Sequence, residues 1–584
     1  MTATLDTLAI ARIWIGKFVA ALKASDASGA SALFLRVGYW RDLLSLSWNL
    51  RTLHGRAAIE DYLLQGKRMG PHGLTNLKVV GQPAFEELSS DLTWISAFFE
   101  FETPVARGQG VLRLKQDPDT AEWLAFTFYT GIEELKGHEE HVGTARPEVL
   151  GLQGKASWQV LRKELTAYAD RDPEVLIIGA GQAGLTAAAR LSQLGVDALV
   201  IEKNPRVGDN WRNRYDTLTL HDPVWNDHMP YVPFPETWPT FAPKDKVGDW
   251  LESYAKTLDL NIWTSTILVE SSYDEVSNQW AVAVERPDGT RKTLRPKHII
   301  LATSIAGEAY IPTFKGSETF KGALIHSTKY KNAHGFGQKK VVIVGAGNSA
   351  TDIAQDLYRQ GADVTIVQRS STLVSSSAAI LNIYFKGLYD GTGPPTEVAD
   401  RIGFSLPWAV GKSVHTFLTN IAKGYDAALH EGLQKAGFKV DFGPGGSGIL
   451  YKYLDQRGSY LVDTGCGQLI IDGKIKVKQG HEIDHFEQDG VVFDDGTKLD
   501  ADAVILATGY HNMGHTAAKL FGEEVAARAG EVWGVDNEGE LKGIWRPSGH
   551  PGLWYHSGGL ALCRFYSKRL ALQVKANLLG LARL

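Results

Sequence analysis

Val175-Leu-Ile-Ile-Gly179-Ala-Gly181-Gln-Ala-Gly184-Leu185 puts a G-x-G-x-x-G spacing directly behind an apolar run. Gly179 permits a tight turn, Gly181 admits a pyrophosphate to the backbone, and Gly184 lets the following helix lie close on the sheet. That helix leaves through Ala187–Leu194 and stops at Gly195, and the strand Ala198–Ile201 delivers Glu202. Phosphates would sit on unpaired N–H groups at the positive helix end, and Glu202 can accept from ribose hydroxyls. The first loop therefore suits FAD, with Gln182, Ala183 and Lys203 as further contacts.

A second copy runs Val341-Val-Ile-Val-Gly345-Ala-Gly347-Asn348-Ser349-Ala350, with its own helix to Gln360 and a strand Val364–Val367. Here Gln368-Arg369-Ser370 replace the acid. An Arg at the strand end can pair with a 2′-phosphate, so this loop suits NADPH.

These loops need sheets to hold them. Val504-Ile-Leu-Ala-Thr508-Gly509-Tyr510 reads as a buried strand and a glycine at a close approach, behind a hairpin turned at Asp495-Gly496. We expect it to close the first nucleotide domain, which makes the second an insertion. The predicted class is α/β, with two Rossmann-like dinucleotide-binding domains, the NADP domain inserted in the FAD domain. The expected boundaries are 173–335 and 501–584 for the FAD-binding parts and 336–500 for the NADP-binding domain. The aromatic-rich insert Ala378–Gly458, with Tyr384, Phe385, Tyr389, Phe404 and Trp408, is expected to meet the substrate.

An α+β unit precedes this body. Helical patterns at Leu8–Lys23, Ser25–Leu35 and Ala57–Gln65 are followed by strand-like runs at Leu77–Glu87, Leu92–Thr103, Val105–Lys115 and Glu122–Thr130. This unit, 1–135, resembles the ketosteroid-isomerase-like (SnoaL-like) cone fold. Trp40, Arg41, Asp42, Trp48 and His54 either line a pocket with Asp42 as base or, the favoured reading, build a core and an interdomain or dimer surface. Residues 136–172, broken by Pro147 and Gly151–Gly154 but with a helical piece around Trp158–Tyr168, read as a connector.

The segment Phe320-Lys-Gly322-Ala-Leu-Ile-His326-Ser-Thr-Lys-Tyr330 matches the F-x-G-x-x-x-H-x-x-x-[FY] fingerprint of flavin-containing monooxygenases. Baeyer–Villiger monooxygenases resemble it but carry Trp where Tyr330 stands. From about Pro173 onward the chain is similar to this class B flavoprotein family, and particularly to its YUCCA-type branch. Gly208-Asp-Asn210-Trp211, Leu220-His221-Asp-Pro223, Pro233-Phe-Pro235 and Gly473-Lys-Ile-Lys-Val477 carry that likeness. Gly558-Gly559-Leu560 fits a flavin contact at a helix N-terminus.

The resemblance implies that reduced FAD and dioxygen form a flavin C4a-hydroperoxide. Its distal oxygen passes to a small-molecule substrate while NADP⁺ stays bound. His221 stands where many members carry Asn, to stabilise that species or to pack. His326 is read as structural rather than as a base. Ala302-Thr303-Ser304 replaces the usual Ala-Thr-Gly, and Ser does not take positive φ as cheaply as Gly. Two other readings stay open: an NADPH oxidase or flavin reductase releasing hydrogen peroxide, and a non-enzymatic NADPH sensor.

Composition narrows the rest. The 584 residues are 44% hydrophobic and 22% charged with a formal charge of −5, which speaks against nucleic acid as a partner. Cys466 and Cys563 cannot build a disulfide framework or a Cys-rich metal site, and no metal is expected. No leader and no membrane span are expected, so the cytoplasm is the expected compartment. The ending Ala582-Arg583-Leu584 resembles a peroxisomal address. A homodimer is compatible with the N-terminal unit.

Overall fold

The computed structural model describes residues 5–68, 73–146, 157–305 and 307–582. Arg583 and Leu584 of the C-terminal tripeptide, and Pro147 and Gly151–Gly154 of the connector, lie outside them. Among the described residues no helix is long and apolar enough to cross a membrane.

The N-terminal unit is a six-stranded sheet in the order Leu50–His54, Phe34–Leu43, Trp123–Leu135, Ala106–Gln116, Leu92–Glu102, Thr75–Ser89. Helices Thr7–Lys23 and Ala27–Ala32 start where Asp6 and Asp26 accept backbone N–H bonds from Ala9 and Gly29. The first helix buries Trp14 and Phe18, and Phe18 lies 5.1 Å from Phe128 and 5.8 Å from Trp40 between ring centroids.

Two strands, Phe34–Leu43 and Leu50–His54, were not expected. Their burial does not alternate, because Arg36 and Val37 are both exposed and both faces of the run from Trp40 to Leu43 are covered. One face meets the helices, and Arg41 on the other reaches Glu540 of the C-terminal region at 2.7 Å. Period-two patterning disappears when a strand has no wet face.

Two parallel five-stranded sheets form the body. The first runs Leu553–Tyr555, His298–Leu301, Val175–Ile178, Ala198–Ile201, Ile262–Trp263. The second runs Ala323–His326, Ala503–Leu506, Lys340–Val344, Asp363–Gln368, Lys476–Gln479.

This corrects one expectation. Ala503–Leu506 does not close the first sheet; it pairs with Ala323–His326 and Lys340–Val344 in the second. The strand that closes the first sheet is Leu553–Tyr555, beside His298–Leu301. A four-residue strand buried on both faces carries no mark of which sheet it joins. The second sheet still falls, in chain order, between two strands of the first, but it occupies 323–506 rather than 336–500.

Candidate dinucleotide cleft

The C-terminal edges of both sheets open onto one cleft of about 1500 Å³. Single small-molecule pockets run to roughly 1,000 Å³ at most, so the space accommodates more than one ligand.

On the first sheet, Gly179 adopts φ +106, and a Cβ there would lie 2.7 Å from the Ala302 carbonyl oxygen. A Cβ at Gly184 would overlap the Gly179 carbonyl. At Gly181 the nearest atom to an added Cβ is Asn210 Nδ2 at 3.3 Å, so this residue faces the cleft rather than protein. Gly181 begins the helix Gln182–Gln193, and Gly559 begins the helix Leu560–Leu578. Glu202 is buried, and its carboxylate accepts from Ala180 N at 2.8 Å and from Asn204 N and Nδ2 at 2.8 and 2.7 Å. That clamps the glycine turn to the next strand.

The second loop repeats the arrangement. Gly345 has φ +122 and its missing Cβ would overlap the Ala507 carbonyl, while Gly347 begins the helix Asn348–Arg359. Asn348 Oδ1 accepts from Val462 N at 2.8 Å, tying the loop to the strand Tyr460–Asp463. Arg369 stands at the rim, 74% exposed and 3.6 Å from Glu482.

Thr508 and Gly509 join the two halves. Thr508 Oγ1 donates to Tyr310 O at 2.6 Å, and Tyr310 N donates to Gly509 O at 2.9 Å. Ser304, which stands where the family usually has Gly, takes φ +74 despite its side chain. For a residue with a Cβ that conformation costs roughly 1 kcal/mol. Ser557 Oγ pins the next residue by accepting from Ile305 N at 2.9 Å.

Of the candidate cofactor residues, all line the cleft except Gly184, which packs the helix beneath it. His221 is not on the cleft wall either. Its Nε2 lies 3.6 Å from Asp352 Oδ2 on the helix behind the second loop, and the same carboxylate oxygen accepts from Tyr215 OH at 2.7 Å. The five aromatics expected at the substrate are also absent from the wall. Phe404 packs on Phe565 and Tyr566, Tyr389 donates to Asp400, and Tyr384 donates to Thr419. Phe404 fastens the insert to the body, while Tyr384 and Tyr389 tie parts of the insert to one another. The insert reaches the cleft instead through its end, Tyr453 to Gly458, which its aromatic content does not single out.

The fingerprint residues hold elements rather than ligands. A Cβ on Gly322 would overlap the Phe320 ring, and Phe320 packs edge-on against Phe486. His326 is buried at the end of its strand, opposite Leu506. Thr328 N donates to its Nδ1 at 3.2 Å. Burial pushes its pKa below the ordinary histidine value, against a smaller opposing effect of the Gly509 backbone. Tyr330 OH donates to Asp356 at 2.6 Å, behind the second glycine loop.

Three buried donors on the wall, Trp211 Nε1, Thr303 Oγ1 and Arg457 Nη1, have no partner among the described residues. Buried polar groups are normally paired, so all three fit a polar ligand between the sheets. Cys466 and Cys563 are both free and buried.

Comparison with known proteins agrees with this architecture. A family model described as pyridine nucleotide-disulphide oxidoreductase matches residues 176–383. Indole-3-pyruvate monooxygenase YUCCA1 of Oryza sativa subsp. japonica is 32% identical over 348 residues, 58% of this chain and 77% of that protein. Probable indole-3-pyruvate monooxygenase YUCCA10 of Arabidopsis thaliana is 30% identical over 340 residues, 58% of this chain and 81% of that one. Among solved structures, an oxidized steroid monooxygenase bound to NADP shares the fold, with a TM-score of 0.50 and 17% identity over 70% of this chain and 86% of its own. The chain belongs to the flavin monooxygenases, oxidoreductases that use FAD and NADPH.

Proposed function

We propose that this chain transfers one oxygen atom from dioxygen to a small organic substrate, with FAD on the Gly179–Gly184 loop and NADPH on the Gly345–Ala350 loop. The observation that carries this reading is that both loops open onto one cleft, closed at the junction by Thr508 and Gly509. Glu202 would meet the flavin ribose, and the helix ends at Gly181 and Gly559 would face its phosphates. Asn210 and Trp211 border the same loop, and Gly558 sits where Gln182 Nε2 donates to its carbonyl at 3.3 Å. When bound, FAD supplies hydride acceptance from the coenzyme and activation of dioxygen.

The protein's own contribution is position and dryness. Tyr215 fastens the loop after Trp211 to Asp352 behind the coenzyme loop, and His221, 3.6 Å from the same carboxylate, packs there as a positioning residue.

The reading is tested by mixing NADPH-reduced enzyme with dioxygen in a stopped-flow instrument. A transient flavin C4a-hydroperoxide band that lasts longer at saturating NADP⁺ is the expected result. Reoxidation without any transient, with stoichiometric peroxide from every substrate offered, would establish an oxidase instead.

Coenzyme choice gives a second measurement. Arg369→Ala is expected to raise the KM for NADPH about tenfold and leave that for NADH unchanged. The effect shrinks at high salt because Arg369 is exposed. An unaltered NADPH/NADH ratio would remove Arg369 from coenzyme recognition.

A further inference from the structure

Arg457 ends the helix Gly448–Gln456 in an unusual way. It takes φ +62 itself, its N–H donates to Tyr453 O at 2.8 Å, and Ser459 two residues on also has φ +62. Neither residue is glycine, so the turn holds two side chains in a backbone region that disfavours them. The turn is placed against the second glycine loop, since a Cβ on Gly347 would lie 3.4 Å from Tyr460 O.

Arg457 lines the cleft, and its Nη1 is buried with no hydrogen-bond partner among the described residues. The carboxylates on the same wall are engaged elsewhere. Glu202 accepts from Ala180 and Asn204, Asp209 pairs with Arg212, Glu308 with Lys519, and Glu482 faces Arg369. Arg457 as a whole is only half-buried, but a buried donor such as its Nη1 is normally paired, and leaving it without an acceptor is costly. Its flat fork suits two oxygens of one anion.

We propose that Arg457 is an oxyanion-recognising residue of this cleft, binding either a phosphate of the coenzyme or the carboxylate of an acidic substrate. This deepens the reading of the cleft given above. Orientation of a carboxylate would favour 2-oxo acids over the matching neutral ketones, whereas a phosphate would make Arg457 part of coenzyme capture.

The test uses flavin-loaded Arg457→Met and Arg457→Lys in two binding measurements that do not depend on oxygenation. Anaerobic flavin reduction against NADPH concentration reads the phosphate. Perturbation of the flavin spectrum by phenylpyruvate, against phenylacetone, reads the carboxylate. Arg457→Met is expected to weaken NADPH or phenylpyruvate by fivefold or more, with phenylacetone unaffected and Lys intermediate. Changes below fivefold for both anions, in a variant that keeps its flavin, overturn the proposal. Should Met lose flavin, the Lys variant decides at a threefold threshold. A wild-type enzyme that makes only peroxide would sink the monooxygenase reading while leaving both binding results standing.

Discussion

Gly181→Val is expected to fold normally and to emerge without flavin. The space beside Gly181 is ligand space: an added Cβ meets only Asn210 Nδ2, at 3.3 Å. Branched carbons there would keep a pyrophosphate from the helix N–H groups, which are charge-assisted donors worth roughly 1.5–3 kcal/mol each. Losing about 3 kcal/mol weakens FAD by about a hundredfold. Gly184→Ala makes the contrast, because its Cβ would collide with the Gly179 carbonyl inside the protein. That overpacking should cost about 3 kcal/mol of stability with or without flavin. Flavin absorbance per chain and the unfolding midpoint of the flavin-free form separate the two effects. A Gly181→Val protein with a full complement of FAD would show that the first loop does not seat it.

The second large effect concerns the N-terminal unit. Arg41→Ala should lower the urea midpoint by the equivalent of about 3–5 kcal/mol, because it strands a buried carboxylate. Glu540 is 3% exposed and receives Arg41 Nε and Nη2 at 2.7 Å each and Thr52 Oγ1 at 2.7 Å. Arg41 also donates to Phe404 O and, at 3.0 Å, to Tyr566 OH. Tyr566 lies on the helix Leu560–Leu578, and Gly558 and Gly559 just before that helix border the cleft. The same seam carries Glu133 with Arg569 and Lys568, and Arg113 with Ser405. An Arg41→Met/Glu540→Leu double variant should recover most of the loss, since matched apolar groups often replace a buried pair at little cost. Midpoints are the right comparison in a chain of several units, which need not unfold in one step. A single variant within about 1 kcal/mol of wild type would mean the pair does not secure the docking.

Arg41 and its neighbours also show where reading from residues works. An aromatic and charged cluster, Trp40-Arg41-Asp42, is taken more readily as packing than as a pocket, and the structure packs it. Asp42 accepts from Tyr62, Thr130, Ser45 N and Leu46 N, so its buried carboxylate is fully engaged. The strand that bears these residues was not legible, because both faces of its second half, Trp40 to Leu43, are covered. Strand, glycine turn and helix were legible at Gly179–Gly184 and Gly345–Ala350 because each is a local rule, satisfied within about ten residues.

What the sequence alone determined is thus the pair of glycine loops, the acid at Glu202, the base at Arg369 and the fingerprint from Phe320 to Tyr330. Each is set by steric or charge requirements between residues close along the chain. Tertiary structure decided the rest. It moved Ala503–Leu506 into the second sheet, since a strand buried on both faces pairs by the space left to it rather than by any mark in its side chains. It set His221 against Asp352 and the insert's Phe404 against Phe565 and Tyr566, and it left Arg457 on the wall with an unanswered Nη1. Whether a polar group is paired or free depends on residues a hundred positions away, and no local pattern encodes that.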